Sequence, residues 1–112
     1  MKFTVQELLN KHGRVPKGES VTVVGFLTVG KDARVYQAED RDDLFVPVTD
    51  RRVADALLSA VPAYGGGPHI YADQAEIVSA VEMVDDAIVL SRVASITIMR
   101  EQKWKVELEE IG

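Results

Sequence analysis

A ten-residue run of mainly β-branched side chains, interrupted by one glycine, constrains the fold of this chain most. Residues 20–29 read Ser-Val-Thr-Val-Val-Gly-Phe-Leu-Thr-Val, a composition typical of a β-strand. Gly25 lies in the middle of the run. A glycine inside a strand marks a bulge, a sharp bend or the close approach of another backbone. We therefore expect a long, strongly coiled strand of the kind that a small barrel requires.

Further strand patterns lie on both sides of a single internal helix. Strands are predicted at 33–39, 44–48, 70–84, 88–99 and 104–108, and the alternation of the two faces is clearest at 75–83 and 104–108. The internal helix is predicted to start at a cap formed by Thr49 or Asp50 and to end at Pro62. Its apolar stripe consists of Val53, Leu57, Leu58 and Val61.

The N-terminal residues 1–13 predict a short helix with a complete start pattern. Thr4 and Glu7 have the spacing of a capping box, and Phe3 and Leu8 have that of a hydrophobic staple. Gly13 supplies the end of the helix. We expect this helix to dock one face on the body of the domain.

Residues 21–27, 34–36 and the capped helix at 51–61 resemble the OB-fold, in which a helix follows three meandering strands. They are also similar to small bacterial OB-like domains, and the resemblance covers about residues 19–100. It implies a β-rich fold, between all-β and α+β, with a small barrel of five to six antiparallel strands and a helix between strands 3 and 4. The extra strand at 104–108 leaves an SH3-like barrel or an open α+β sheet as alternatives.

The 112 residues predict one domain: the N-terminal helix at 1–13, the barrel at 19–100, and a terminal strand and tail at 101–112. The chain has no cysteine, which excludes disulfides and thiolate chemistry. We find no secretory leader and no apolar run that could cross a bilayer, so we expect a cytoplasmic protein without membrane contact. His12 and His69 have no partners at motif spacing, and we predict no enzymatic activity, no metal and no cofactor.

Charge is distributed unevenly along the chain. The net charge is −5, but residues 37–86 hold three basic against eleven acidic side chains, whereas residues 1–36 hold six basic against three acidic ones. Phosphate backbones are bound by Lys and Arg, so this acidic balance disfavours nucleic acid as a general partner. A basic groove formed by Lys17, Lys31 and Arg34 would favour it. A protein partner, particularly a basic one, is accommodated more easily.

Two groups of residues are candidates for binding. Arg34 and Tyr36 share one face of the second strand and Phe45 lies on the third, which predicts a stacking platform that Phe26 could extend. The alternative is that these aromatic side chains belong to the barrel core or its rim. The acidic run contains Glu39, Asp40, Asp42 and Asp43, which either face a cationic partner or form a solvated loop.

Trp104, the single tryptophan, is a candidate interface anchor, with core packing as the alternative.

The first hypothesis is a non-enzymatic module that recognises a protein partner through an acidic surface, as a bacterial immunity protein does with a basic toxin. The alternative is an OB-fold binder of single-stranded nucleic acid or oligosaccharide. An enzyme with a carboxylate site ranks last. The oligomeric state stays open, because the strands at 44–48 and 104–108 could pair across a two-fold axis.

Overall fold

A computed structural model describes residues 2–10, 20–38, 44–63 and 69–108 of the chain. The described part contains seven strands and two helices. In chain order they are β1 (Lys2–Thr4), α1 (Val5–Asn10), β2 (Ser20–Gly30), β3 (Ala33–Tyr36), β4 (Phe45–Val48), α2 (Arg52–Ala60), β5 (His69–Val84), β6 (Ala87–Met99) and β7 (Lys103–Glu107).

The sheet closes on itself because β2 pairs with a different strand on each side. It pairs with β3 and with β5, and the order β2-β3-β4-β6-β5 returns to β2. The predicted β-rich fold, a small barrel with two helices, is confirmed. The closed five-strand barrel is consistent with the OB-like resemblance. Strand β1 lies against β2, and β7 lies against β6, outside this ring.

Two of the strand pairings are parallel, whereas the resemblance implied antiparallel strands. Strand β1 runs parallel to β2, and β4 meets β6 in parallel through Val48 and Leu90. The backbone N–H of Thr49 donates to the carbonyl oxygen of Leu90 at 2.9 Å and continues this contact. The short parallel contact between β4 and β6 completes the ring, and it also fixes the point from which α2 leaves the barrel.

The barrel interior is filled by alternate residues of its strands. Successive side chains of a strand point to opposite faces of the sheet, so every second residue of β2 enters the core. Val23 and Leu27 are fully buried in this way, whereas Thr22 and Val24 on the opposite face are half-buried. The other strands contribute fully buried side chains to the same cluster, among them Val35, Val46, Ala75, Ile77, Leu90, Ile96 and Ile98.

Gly25 is required by the close approach of β3. A Cβ atom built on Gly25 would lie 2.5 Å from the carbonyl oxygen of Tyr36 and 2.7 Å from Cγ1 of Val35. The ladder between β2 and β5 runs in register past Gly25, and its shift falls between Val29 and Gly30. Of the three roles that the sequence allowed for this glycine, the structure therefore shows the close backbone approach.

The N-terminal helix begins with the predicted capping box. The backbone N–H of Thr4 donates to the Glu7 carboxylate at 2.9 Å, and the N–H of Glu7 donates to the Thr4 hydroxyl at 3.2 Å. Phe3 and Leu8 are both buried in the core cluster. The predicted end at Gly13 lies outside the described residues. Strand β1 was not expected, because three residues are too few to show a strand pattern.

Asp50 connects the start of α2 to β6. Its carboxylate accepts hydrogen bonds from the Arg52 guanidinium at 2.7 Å, from the backbone N–H of Arg52 at 3.0 Å and from the backbone N–H of Val93 at 2.7 Å. Burial alone would raise the pKa of Asp50. The hydrogen bonds from Arg52 and Val93, together with the Arg52 charge, outweigh burial and hold that pKa below its ordinary value of 3.8. The N-cap of α2 is Arg51 and not Thr49 or Asp50 as predicted, although the Asp50 carboxylate does accept the backbone N–H of the first helical residue, Arg52.

A second set of polar contacts fixes the end of α2. Arg100 pairs with the buried carboxylate of Asp73 through two hydrogen bonds of 2.9 and 3.0 Å, and it also donates to the Pro62 carbonyl at 2.7 Å. The hydroxyl of buried Tyr71 donates to the Val61 carbonyl at 2.6 Å. Both ends of α2 are therefore attached to the barrel by directed bonds as well as by apolar packing. Neither helix in the described ranges is long and apolar enough to span a membrane.

Candidate binding face and adjoining cleft

Three of the residues predicted from the sequence meet on the outer surface of the barrel. Val35 of β3 and Val46 of β4 are fully buried in the core, so their neighbours in each strand point outward. Tyr36 lies directly opposite Phe45 in the ladder between these strands. Arg34 lies on the same outer side of β3 as Tyr36. We call Arg34, Tyr36 and Phe45 the binding face; all three side chains are half-buried.

Phe45 is the centre of the binding face. Its ring centroid lies 5.5 Å from that of Tyr36, with an angle of 43° between the rings. The guanidinium carbon of Arg34 lies 4.6 Å from the same centroid on Phe45, within the range of a cation–π interaction. Phe26 of β2 pairs with Tyr36 and is 8% exposed, outside the main core cluster. The aromatic side chains of β3 and β4 thus form a surface cluster and do not belong to the main core.

In the sequence the acidic candidates lie between Tyr36 and Phe45 of the binding face. Glu39, Asp40, Asp42 and Asp43 lie outside the described residues. The chain on either side of them is described, and the backbone N–H of Gln37 donates to the Leu44 carbonyl at 3.0 Å. This bond joins the ends of β3 and β4 next to the pair formed by Tyr36 and Phe45. The described residues on the two sides of the acidic run therefore meet at the Tyr36 end of the binding face.

Trp104 lies elsewhere in the molecule. It belongs to β7, where it is opposite Ile98 of β6, and its half-buried ring packs against the core cluster. Strand β7 pairs with β6, whereas the binding face lies on β3 and β4. The structure therefore does not bring Trp104 together with Arg34, Tyr36 and Phe45.

A cleft of about 770 Å³ adjoins the binding face. It is bounded by the turn between β2 and β3, by β4 and by the first turn of α2. Phe45 and Pro47 contribute apolar surface, and the cations of Lys31, Arg34 and Arg51 lie around it. A volume of this size falls in the range typical of small-molecule sites.

The cations of the cleft are not neutralised by nearby carboxylates. Lys31 and Arg51 are exposed, and neither forms an ion pair with another residue in the described part of the chain. Two carboxylates also line the cleft. Asp50 is bound to Arg52 and to two backbone N–H groups, which leaves Asp32 as the exposed one. The cleft is thus locally basic within an acidic protein.

Sequence reasoning identified part of this cleft and missed the rest. Lys31 and Arg34 were considered as members of a basic groove, and both line the cleft; Lys17, the third member, lies outside the described residues. Arg51 was missed. It occupies the N-cap position of α2 without a side-chain capping bond, where the helix dipole disfavours a cation. A basic residue at an unfavourable helix end is a pattern that could have identified it.

The described residues contain no group of three or more His, Cys, Asp or Glu side chains that could hold a metal ion. The side chains of His12 and His69 lie outside the described part of the structure. No protein-family model matches this chain, and neither the search of curated proteins nor that of solved structures finds a match.

Proposed function

We propose that this chain is a non-enzymatic binding module, an OB-like domain that recognises a protein partner through the binding face and the acidic run beside it. The observation that carries the proposal is the surface cluster itself, in which Phe45 lies between Tyr36 and Arg34. Tyrosine and arginine are enriched among the few residues that dominate protein interfaces. The cluster offers apolar area, a hydrogen-bonding hydroxyl and a charge within one small patch.

The acidic run supplies the charge that selects the partner. Four carboxylates follow β3 within the five residues 39–43, and the strands on either side of them carry Tyr36 and Phe45. A basic partner would be attracted to this end of the barrel, and opposite charges on two surfaces speed association. A bacterial immunity protein that neutralises a basic toxin is one example of such a module, and the size and charge of this chain are compatible with it.

The test is capture of a stoichiometric partner from lysate in the presence of nuclease, followed by affinity measurements on the purified pair. We expect Tyr36→Ala to weaken the complex by about 30-fold, the loss associated with a hot-spot residue. Val84→Ala is the matched control, because Val84 is an apolar side chain, 47% exposed, at the far end of β5. Equal affinities of the Tyr36 and Val84 variants would contradict the proposal.

Single-stranded nucleic acid or oligosaccharide is the second candidate ligand. It is favoured by the cations of Lys31, Arg34 and Arg51 next to the half-buried ring of Phe45, since single strands bind to basic grooves that contain stacking side chains. We expect such a nucleic-acid complex to lose affinity steeply as salt is added, because bound phosphates release counterions. Oligosaccharide binding would be nearly independent of salt. Fluorescence titration of a labelled oligonucleotide at two salt concentrations tests whether nucleic acid, rather than oligosaccharide, is the ligand.

A further inference from the structure

We infer that the cleft between the β2–β3 turn, β4 and α2 binds a small planar organic anion, an aromatic ring that carries a phosphate or carboxylate group. The cleft shares Arg34 and Phe45 with the binding face, but Tyr36 does not line it. The inference therefore concerns a second ligand of the module and does not depend on the protein partner.

The charge and the concave shape of the cleft both favour an anion. Lys31, Arg34 and Arg51 come from the β2–β3 turn, from β3 and from the start of α2, and all three line the same cleft. The chain as a whole has a net charge of −5. Three cations around one concave surface of an acidic protein attract an anion, because clefts concentrate the field of the charges at their walls.

Two other arginines in the described part of the structure are already paired with carboxylates. Arg52 is bound to Asp50, and Arg100 is bound to Asp73, with both carboxylates almost completely buried. Lys31 and Arg51 have no such partner among the described residues. A guanidinium and an ammonium without carboxylates retain their donors for a phosphate or carboxylate ligand.

The apolar wall of the cleft fits the uncharged part of the ligand. Phe45, Pro47 and Val48 give the cleft an apolar wall, and the Arg34 guanidinium is already held over the Phe45 ring. A planar ring can stack on such a surface, since aromatic rings and guanidinium groups both present flat faces. Inorganic phosphate would use the cations alone, whereas an aromatic phosphate would use both parts of the site.

The experiment is a calorimetric or NMR titration of the whole chain with phenyl phosphate, inorganic phosphate and benzyl alcohol. We expect phenyl phosphate to bind at least about tenfold more tightly than either of the other two probes, because it alone uses both the cations and the apolar wall. Arg51→Ala should lower the affinity for phenyl phosphate by about tenfold, the equivalent of about 1.4 kcal/mol. Arg51→Glu should lower this affinity further. Added salt should weaken binding as well.

Two control variants separate this site from its surroundings. Lys103→Ala removes an exposed cation on β7, away from the cleft, and should leave the affinity for phenyl phosphate unchanged. Tyr36→Ala should weaken binding of the protein partner more than binding of phenyl phosphate, because Tyr36 does not line the cleft although its ring packs against Phe45. Conversely, an Arg51→Ala variant that loses phenyl phosphate binding but keeps full affinity for the protein partner would show that the cleft and the binding face are separate sites. Failure of this inference and failure of the proposed function are therefore distinguishable.

Three results would overturn the inference. The first is binding of phenyl phosphate no tighter than that of benzyl alcohol. The second is an affinity for phenyl phosphate that is the same in wild type, Arg51→Ala and Arg51→Glu. The third is an oligonucleotide that binds through Lys31 and Arg51 while phenyl phosphate does not bind, which would assign the cations to the nucleic-acid candidate.

Discussion

Four arginines of the described residues fall into two groups that differ in what surrounds them. Arg52 and Arg100 bind the buried carboxylates of Asp50 and Asp73 and also donate to backbone carbonyl groups. Arg34 lies over an aromatic ring at the surface, and Arg51 lies at the edge of a cleft without a carboxylate partner among the described residues. Paired arginines hold α2 on the barrel, whereas unpaired ones surround the surface that we propose binds ligands. The comparison separates charges that maintain the fold from charges available for recognition.

The largest effect is expected when a buried pair is broken. Asp73→Ala leaves the Arg100 charge partly buried without its partner, and we expect the free energy of unfolding to fall by about 3 kcal/mol. Urea denaturation measures this. Glu76→Ala is the control on the same strand, because it breaks the exposed ion pair with Lys2 and should cost less than about 1 kcal/mol. Similar losses of unfolding free energy in the two variants would contradict the distinction between arginines that maintain the fold and those available for recognition.

The second effect concerns Asp50 and depends on pH. Because the pKa of Asp50 is lower in the folded chain than its ordinary value of 3.8, its contribution is present above pH 3.8 and is lost as pH falls through the folded pKa. Asp50→Asn should reduce stability by about 1 to 2 kcal/mol near neutral pH. Urea denaturation at several pH values should also show a weaker acid dependence for the variant. Parallel curves for both proteins would contradict this assignment.

A smaller effect is expected at Tyr71. Tyr71→Phe removes the donor to the Val61 carbonyl, and we expect a loss of about 1 kcal/mol. Burial raises the pKa of Tyr71 above 10.0, an effect opposed by the Arg100 charge and supported by Asp73. The buried hydroxyl therefore stabilises the fold below pH 10 and loses that contribution as pH rises further. Thermal unfolding of both proteins at neutral and alkaline pH tests this, and identical profiles would argue against it.

The smallest effect is expected at the unpaired cations. Lys31→Ala and Arg51→Ala should change the free energy of unfolding by no more than about 0.5 kcal/mol, as exposed substitutions usually do. Removing Arg51 should leave α2 slightly more stable, because a cation is unfavourable at the positive end of a helix. Urea denaturation of both variants provides the measurement. A loss as large as that of Asp50→Asn would show that these cations support the fold.

The sequence allowed the barrel to be predicted more fully than its surface. The β-branched run at residues 20–29 and the capping box at Thr4 and Glu7 are local patterns, and both correspond to structure. The parallel contact between Val48 and Leu90 was not foreseen, because it joins residues that are distant in sequence. Pairing of strands depends on the tertiary fold, which periodicity within one segment does not specify.

In the candidate site too, contacts within one segment were predictable from the sequence, whereas contacts between distant segments were not. Alternation placed Arg34 and Tyr36 on one side of β3, and Phe45 was correctly considered with them. The position of Arg51 beside Lys31 and Arg34 depends on the orientation of α2 relative to β4. The sequence of one short segment does not specify this orientation. Trp104 illustrates the opposite case, because its strand was predicted as a final hairpin strand, yet the sequence did not show that this strand lies apart from the binding face.

The most direct test of the binding face is an NMR spectrum of the protein titrated with its captured and purified partner. We predict shifts or broadening of the ring signals of Tyr36 and Phe45, with the indole N–H signal of Trp104 unchanged. The sole tryptophan on β7 thus provides an internal reference outside the proposed contact. A perturbed Trp104 indole with unaffected Tyr36 and Phe45 rings would contradict the account and move the interface to β7.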